Sequence, residues 1–545
     1  MGKQENMAGW WIPDKTEPEH GDHNVRSAIL KVTQPVFLLN LDGLLGVGHG
    51  GRAVIGHDLP PEPEAFALTA YASPLHPEDL GDPIFKDTHR LRYAYVVGAM
   101  ANGITSVEMV KEAGQTGMVG FFGSAGLTLN DIETAIDQLQ QVPNNIPFGF
   151  NLIHSPHDPD LELSIVELYL RRGIKLVSAS AFLNLTLPLV YYRVKGIYRD
   201  NYGNIVCPNK VIAKVSRVEV AGKYLSPPPV KFLSQLVEGN WITSDEADLA
   251  GSIPMAEDIT AEADSGGHTD NRPAISLLPT MLALRDKLTQ TYQYTKPPCV
   301  GLAGGIATPE SAAAAFAMGA AYILTGSINQ SCVEAGTSET VRNMLSEAGQ
   351  ADVIMAPAAD MFEMGVKVQV LKRGTMFALR AAKLYELYSN FDCFENIPEK
   401  QKKILERDFF RCSFHDEWEQ TKQYFAGIEP KQIERGEQNP KHKMALVFRS
   451  YLGQSSNWAI SGSPSRKMDY QIWCGPAMGA FNQWVKGSFL DKPENRKTVT
   501  VAMNLLYGAA VATRVNWLRY QGAVLPTGVG NFSPMPLLEI SALLK

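Results

Sequence analysis

The sequence is short of several things that would narrow its class at once. Its six cysteines, Cys207, Cys299, Cys332, Cys393, Cys412 and Cys474, are scattered with no C-x-x-C pair. That spacing argues against a zinc site or a disulfide framework and suits a reducing cytoplasm. Excess positive charge is missing as well. Lys and Arg number 50 against 57 Asp and Glu, a net −7, so no global field draws the chain to nucleic acid or to an anionic membrane. No uninterrupted apolar run is long enough to span a bilayer, so no membrane insertion is expected. The opening Met1-Gly-Lys-Gln-Glu-Asn6 is polar and leads into no apolar stretch, so no signal peptide is expected. There is no internal repeat, no low-complexity segment and no carboxylate cluster with metal-ligand spacing, so no metal site is expected. A dinucleotide fingerprint is also absent. Leu45-Gly-Val-Gly-His-Gly-Gly51 has the glycines but runs into Arg52-Ala-Val-Ile-Gly-His-Asp-Leu-Pro-Pro61, which is no helix start, and reads as a hairpin or turn.

What is present is enough chain for a large core. The 545 residues are 45% hydrophobic, compatible with a barrel carrying additions. Residues 1–91 lack helical periodicity and read as a β-rich extension. From Arg92 the texture alternates strand with helix, the mark of a parallel α/β fold. Strands are expected at 93–97, 117–122, 147–152, 175–178, 210–215 and 257–262. Ser106 and Thr128 are placed to cap the intervening helices. The link between the fourth and fifth strands is long, and Tyr198-Arg-Asp-Asn-Tyr-Gly-Asn-Ile-Val206 reads as an inserted hairpin. The barrel thus spans 92–337, with an insertion around 190–250. Beyond Ser338 the strands are expected to stop, and 338–545 reads as a mainly helical region.

The seventh and eighth strands come from Val300-Gly-Leu-Ala-Gly-Gly-Ile-Ala-Thr-Pro309 and the Ala321-Tyr-Ile-Leu-Thr-Gly-Ser327 that follows it. Thr308 is a fitting N-cap and Pro309 a fitting first helical residue. Both strands end in glycines that let bare N–H groups approach a ligand, at the place where (β/α)8 barrels commonly hold phosphate. The other strand ends carry Gly98-Ala99-Met100-Ala101-Asn102, Asn151, Ser178, Lys214 and the loop Glu262-Ala-Asp264-Ser-Gly266-Gly267-His268-Thr-Asp270-Asn-Arg272-Pro273. This set is rich in small residues and holds one histidine, which suits a large flat ligand with one phosphate. His268 can hydrogen-bond a carbonyl or deliver a proton, or it can be a loop histidine held by Asp264 or Asp270. Lys214 can steady such a ligand or pair with a carboxylate.

These strings resemble the nitronate monooxygenase and enoyl-reductase superfamily of FMN-binding TIM barrels over roughly 92–335. Gly98-Ala-Met-Ala-Asn102 and Phe148-Gly-Phe-Asn151 are similar to its flavin loops, Ser265-Gly-Gly-His268 to its catalytic loop, and Ala303-Gly-Gly-Ile306 and Thr325-Gly-Ser327 to its phosphate turns. Two longer strings, Glu262 to Pro273 and Met364-Gly-Val-Lys-Val-Gln-Val-Leu-Lys-Arg-Gly-Thr-Met-Phe377, resemble the trans-acting (PfaD-type) enoyl reductases of polyunsaturated fatty acid and polyketide synthases. That likeness covers nearly the whole chain. One departure is Thr269-Asp-Asn-Arg272, where simpler superfamily members usually carry further glycine.

The resemblance implies an FMN-binding (β/α)8 TIM barrel with His268 as the catalytic residue. The flavin would be held by Gly98, Ala99, Met100, Asn102, Asn151, Lys214, Gly266, Gly267, Gly304, Gly305, Gly326 and Ser327. It further implies an enzyme in which NADPH reduces FMN and FMN reduces enoyl thioesters on acyl carrier protein domains; the large helical surface points to a homodimer, and the cysteine usage to the cytoplasm. The rivals are a nitronate monooxygenase, a flavin-free phosphate-binding barrel enzyme and a non-catalytic assembly subunit. A dehydrogenase of the IMP type needs a nucleophilic cysteine near the sixth strand, and 262–273 has none.

Overall fold

A computed structural model describes residues 7–56, 59–154, 159–426 and 430–545. The polar start at 1–6 lies outside them. The chain is built on eight parallel strands: β1 (Tyr95–Val97), β2 (Val119–Phe122), β3 (Phe148–Ile153), β4 (Leu176–Ser180), β5 (Lys210–Val215), β6 (Asp258–Glu262), β7 (Cys299–Ala303) and β8 (Ile323–Thr325). They close in sequence order, β8 pairing with β1. Every residue of β2, β4 and β7 is buried, as strands covered on both faces must be. The helices between them start where the caps are placed. Ser106 accepts from the Met109 N–H at 3.2 Å, Thr128 and Asp131 form a capping box, and Thr308 caps the Pro309–Ala317 helix. The inserted hairpin is also present, pairing Tyr198–Arg199 with Ile205–Val206. The fold class expected from the sequence, a (β/α)8 barrel with an N-terminal β-rich extension and a helical C-terminal region, is the one observed.

The N-terminal residues form a six-stranded antiparallel sheet. They are less uniformly extended than the missing periodicity implies, since Asp22–Leu30 and Pro83–His89 are helices. Gly50 and Gly51, both at φ 70°, turn the chain between two strands that do not pair with each other, so this glycine run is a turn and not a hairpin. The Pro83–His89 helix lies below the barrel. There His89 Nε2 meets Asp258 Oδ2 at 2.6 Å, both side chains nearly fully buried, and Phe85 stacks on Tyr322 with ring centroids 4.0 Å apart.

Beyond Ser338 strands do continue, contrary to expectation. Val353–Pro357 and Lys367–Leu371 form an antiparallel pair, and the latter also pairs with Gly267–His268. The helices that follow have their own apolar core, including Phe377, Leu384, Phe410, Trp418 and Phe448. The 23-residue helix Thr498–Tyr520 is long and apolar enough to cross a bilayer by length and composition, but 89% of its most apolar window is buried within the protein. It lies so close to the Pro309–Ala317 helix that a Cβ on Gly508 would fall 2.5 Å from Pro309.

Candidate active site

The C-terminal ends of the strands gather the residues that sequence reasoning singled out. Gly98 is pressed against β8: its N–H donates to the Thr325 carbonyl at 2.9 Å, and a Cβ there would sit 2.5 Å from Leu324. The loop that follows is tied internally. Thr105 Oγ1 accepts from the Met100 N–H at 2.9 Å and donates to the Gly98 carbonyl at 2.7 Å. Asn102 takes the left-handed conformation, φ 56°, which asparagine tolerates better than most residues. Ala99 and Met100 are thereby presented as a short fixed platform, both half-buried.

The two glycine turns differ within themselves in a useful way. Gly304, at φ 84°, is packed so that a Cβ would lie 2.6 Å from the Ala263 backbone. Gly305, at φ 78°, and Gly326 face open space, where an added Cβ would meet nothing within 4 Å. Gly326 precedes the short Ser327–Gln330 helix and provides no side-chain cap. One glycine thus serves packing, and the other two leave room beside exposed backbone N–H groups.

Asn151 is buried on β3 beside Ser178 of β4. Its Nδ2 donates to the Ser178 carbonyl at 3.1 Å, which fixes the amide, and Oδ1 has no partner among the described residues. Lys214 takes the second of its two sequence readings: Nζ donates to Glu262 Oε1 at 2.6 Å. The same oxygen accepts from Ser265 Oγ at 3.1 Å. An ammonium has three donors, so this pairing leaves Lys214 able to reach a ligand as well.

His268 is held by neither Asp264 nor Asp270. Its Nε2 lies 3.0 Å from Oδ2 of Asp360, a residue of the turn between the Val353–Pro357 and Lys367–Leu371 strands. Burial pushes the Asp360 carboxyl up, but the hydrogen bond and charge of His268 outweigh it and hold it below the usual carboxylate range. Asp264 accepts from Nδ2 of Asn271 and Nε2 of Gln369, both at 2.8 Å. Asp270 is bound by Arg217, at 2.9 and 2.8 Å, and by Ser216 at 2.5 Å. The Arg217 hydrogen bond is the main reason its carboxyl sits at about 2.

The loop is closed from above by Ile472-Trp-Cys-Gly475. Trp473 bridges to Val370, and a Cβ on Gly266 would lie 2.9 Å from the Cys474 nitrogen. The Gly475 N–H donates to Ser327 Oγ at 3.1 Å, which joins this segment to the eighth-strand turn. Asp360, Gln369 and Gly475 are site-supporting residues that the sequence reading missed. The signal was present in the string Met364 to Phe377, whose Val-Gln-Val alternation is a strand pattern.

Fold and site together define a parallel (β/α)8 barrel whose ligand face carries two glycine turns and a His–Asp pair completed from outside the barrel. The enoyl reductase domain of MlnA, from the macrolactin biosynthesis cluster of Bacillus amyloliquefaciens, is similar in structure, with TM-score 0.77 and 39% identity over 82% of this chain and 99% of that one. The chain belongs to the family of that enoyl reductase domain. Among curated proteins it is 48% identical to the polyketide biosynthesis protein PksE of Bacillus subtilis (strain 168), over 80% of this chain and 56% of that protein. It is 44% identical to a polyunsaturated fatty acid synthase polypeptide of Thraustochytrium sp., over 81% of this chain and 30% of that protein. The chain therefore spans about half or less of the length of these relatives. Residues 391–470 match the inserted helical domain of [acyl-carrier-protein] S-malonyltransferase. That segment lies between the Lys367–Leu371 strand and the Ile472–Gly475 closure, so both of its flanks touch the His268 loop.

Proposed function

We propose that this protein is an enoyl reductase that uses NADPH and FMN to saturate the α,β double bond of thioesters carried on acyl carrier protein domains during polyketide or polyunsaturated fatty acid synthesis. The observation that carries the reading is the Gly267–His268 strand laid across the barrel mouth with its imidazole held by Asp360. Membership in the enoyl reductase family supports it.

The residues present fit FMN. Gly305 and Gly326 leave open space beside backbone N–H groups, a cradle for one phosphate that any side chain would fill. Gly304 and Ser327 would complete it. Gly98, Ala99, Met100 and Asn102 would lie along one edge of the ring system, with Asn151, Lys214, Gly266 and Gly267 supplying polar contacts and close backbone approach. When bound, FMN supplies hydride transfer from a nicotinamide to the β-carbon of the enoyl thioester.

The chain's own work is to position the acyl group and manage one proton. His268 donates a proton to the α-carbon, or a hydrogen bond to the thioester carbonyl that makes the β-carbon electrophilic. The Asp360 carboxylate holds the ring in place for that donation. The imidazole is 32% exposed, so the proton is replaced from solvent. The Ile472–Gly475 segment covers the loop and limits water at the reacting carbons.

The test is the visible spectrum of the purified protein after FMN loading, followed by NADPH and an enoyl thioester without oxygen. Bleaching by NADPH and recovery on adding the enoyl thioester are the expected results. A flavin that NADPH leaves oxidised would point to nitronate oxidation instead. Failure to bind FMN at all would overturn the flavin assignment.

A further inference from the structure

Just outside the mouth lies a cavity of about 240 Å³ that the proposed chemistry leaves unused. It is lined by Ser216, Arg217, Glu219, Arg272, Ser276 and Thr280, with Val218 and Leu277 as its apolar wall. Ser216 and Arg217 directly follow β5, and Arg272 closes the His268 loop, so the cavity is one residue layer out from Lys214 and Glu262. Arg217 gives Nε and Nη2 to Asp270, which leaves Nη1. Arg272 makes no side-chain hydrogen bond among the described residues, and only its carbonyl is used, accepting from the Asp264 N–H at 3.0 Å. Two helices begin at the cavity, Val218–Leu225 and the 19-residue Ala274–Tyr292, and neither has a side-chain cap. The hydroxyls of Ser276 and Thr280 donate to carbonyls within their own helix and can rotate toward an acceptor.

We infer that this cavity binds a phosphate ester carried by one of the two substrates, through Arg272 and the free edge of Arg217. The physical case is donor geometry. Two guanidinium groups held at one opening by a loop and a strand end form a fork for phosphate oxygens. Asp270 spends its hydrogen bonds on Arg217 and Ser216; it orients one arginine and attracts the other only through its charge. Glu219 is the one carboxylate in the lining, and it limits the charge the site accepts. The cavity stands apart from the glycine turns after β7 and β8, so it is separate from the cradle assigned above to flavin. The two sources of a phosphate ester are the pantetheine arm of the carrier and the ribose phosphate of NADPH. Which of them arrives rests on the enoyl reductase reading.

Calorimetric titration of the FMN-loaded full chain separates these cases. Pantetheine 4′-phosphate is compared with pantetheine, and NADPH with NADH, for the wild type, for Arg272→Gln and for Arg217→Gln with Arg272→Gln. One pair is expected to show a preference of about tenfold or more for the phosphorylated member, falling to about twofold or less in Arg272→Gln. If the pantetheine pair behaves so, the carrier arm is the source; if the nicotinamide pair does, the dinucleotide is. A preference that survives both substitutions, or no preference in either pair, overturns the inference. Reduction of an N-acetylcysteamine enoyl thioester, which has no phosphate, is read alongside. At saturating NADPH the wild type is expected to reduce this thioester; a wild type that cannot refutes the enoyl reductase reading, while the binding data still judge the cavity.

Discussion

Asp360 approaches His268 from a part of the chain 92 residues away in sequence, and this defines what each can be asked to do. Replacing His268 with Ala removes the proton donor proposed above. We expect the turnover of enoyl thioester to fall about 100-fold, while the rate at which NADPH bleaches the flavin stays within about twofold. Equal loss in both half-reactions would mean that His268 holds the cofactor instead. Asp360→Asn keeps a hydrogen bond and deletes the charge. It should slow the second half-reaction about tenfold and leave the first alone, which marks a positioning residue. Asp270 gives a pH signature of a different kind. Its folded value of about 2 lies below the ordinary carboxylate value near 3.9, so its contribution to stability is present above about pH 4 and is lost as pH falls toward 2. Denaturant midpoints followed from pH 7 to 2.5 should drop less steeply in Asp270→Asn than in the wild type. At this scale the place of His268 at the barrel mouth was legible, because two glycines precede it in the loop after a barrel strand. Its partner was not. Nothing local in Asp360 distinguishes it from a solvated carboxylate, and Asp264 and Asp270, the acids nearest in sequence, are drawn off by Gln369 and Arg217.

Among the elements, the barrel strands were readable because strands buried on both faces are largely apolar, and a glycine directly follows β1, β2, β7 and β8. The Val353–Pro357 and Lys367–Leu371 pair was legible only in its Val-Gln-Val alternation, because the first strand is partly exposed and the pair is completed by a distant loop. That pair is nevertheless what fixes the His268 loop. Nε2 of Gln369 donates to Asp264 Oδ1 and to the Ser265 carbonyl, both at 2.8 Å. Gln369→Ala should therefore lower enoyl turnover about tenfold with little change in thermal midpoint, as expected when a loop is freed but no core is opened. A large fall in the midpoint with unchanged turnover would contradict this. The barrel floor behaves oppositely. Asp258→Ala strands the buried His89 and removes the acceptor for the Cys299 N–H, so about 3 kcal/mol of stability should be lost while the mouth chemistry persists in whatever remains folded. Equilibrium unfolding in urea measures the loss directly.

Across the whole molecule, the Thr498–Tyr520 helix joins parts that the sequence places at opposite ends. Its apolar length was legible; what it lies against was not, because contacts between residues nearly 500 positions apart leave no local pattern. Arg514, fully buried, donates to the carbonyls of Ile29 at 3.0 Å and Lys31 at 2.9 Å, and also to that of Gln34. Tyr507 adds a hydrogen bond to the Leu30 carbonyl at 2.6 Å. On its other side the same helix meets Pro309, the first residue of the helix that follows the β7 glycine turn. The N-terminal layer, this helix and the barrel share one apolar core, so they should unfold together. Arg514→Ala leaves three carbonyls without their donor, at about 1–3 kcal/mol for each group that water cannot reach. The expected calorimetric result is one transition displaced to lower temperature, with flavin release falling on the same curve. Two separated transitions, with flavin leaving only in the later one, would show that the N-terminal layer is an independent attachment and that this helix does not carry stability to the site.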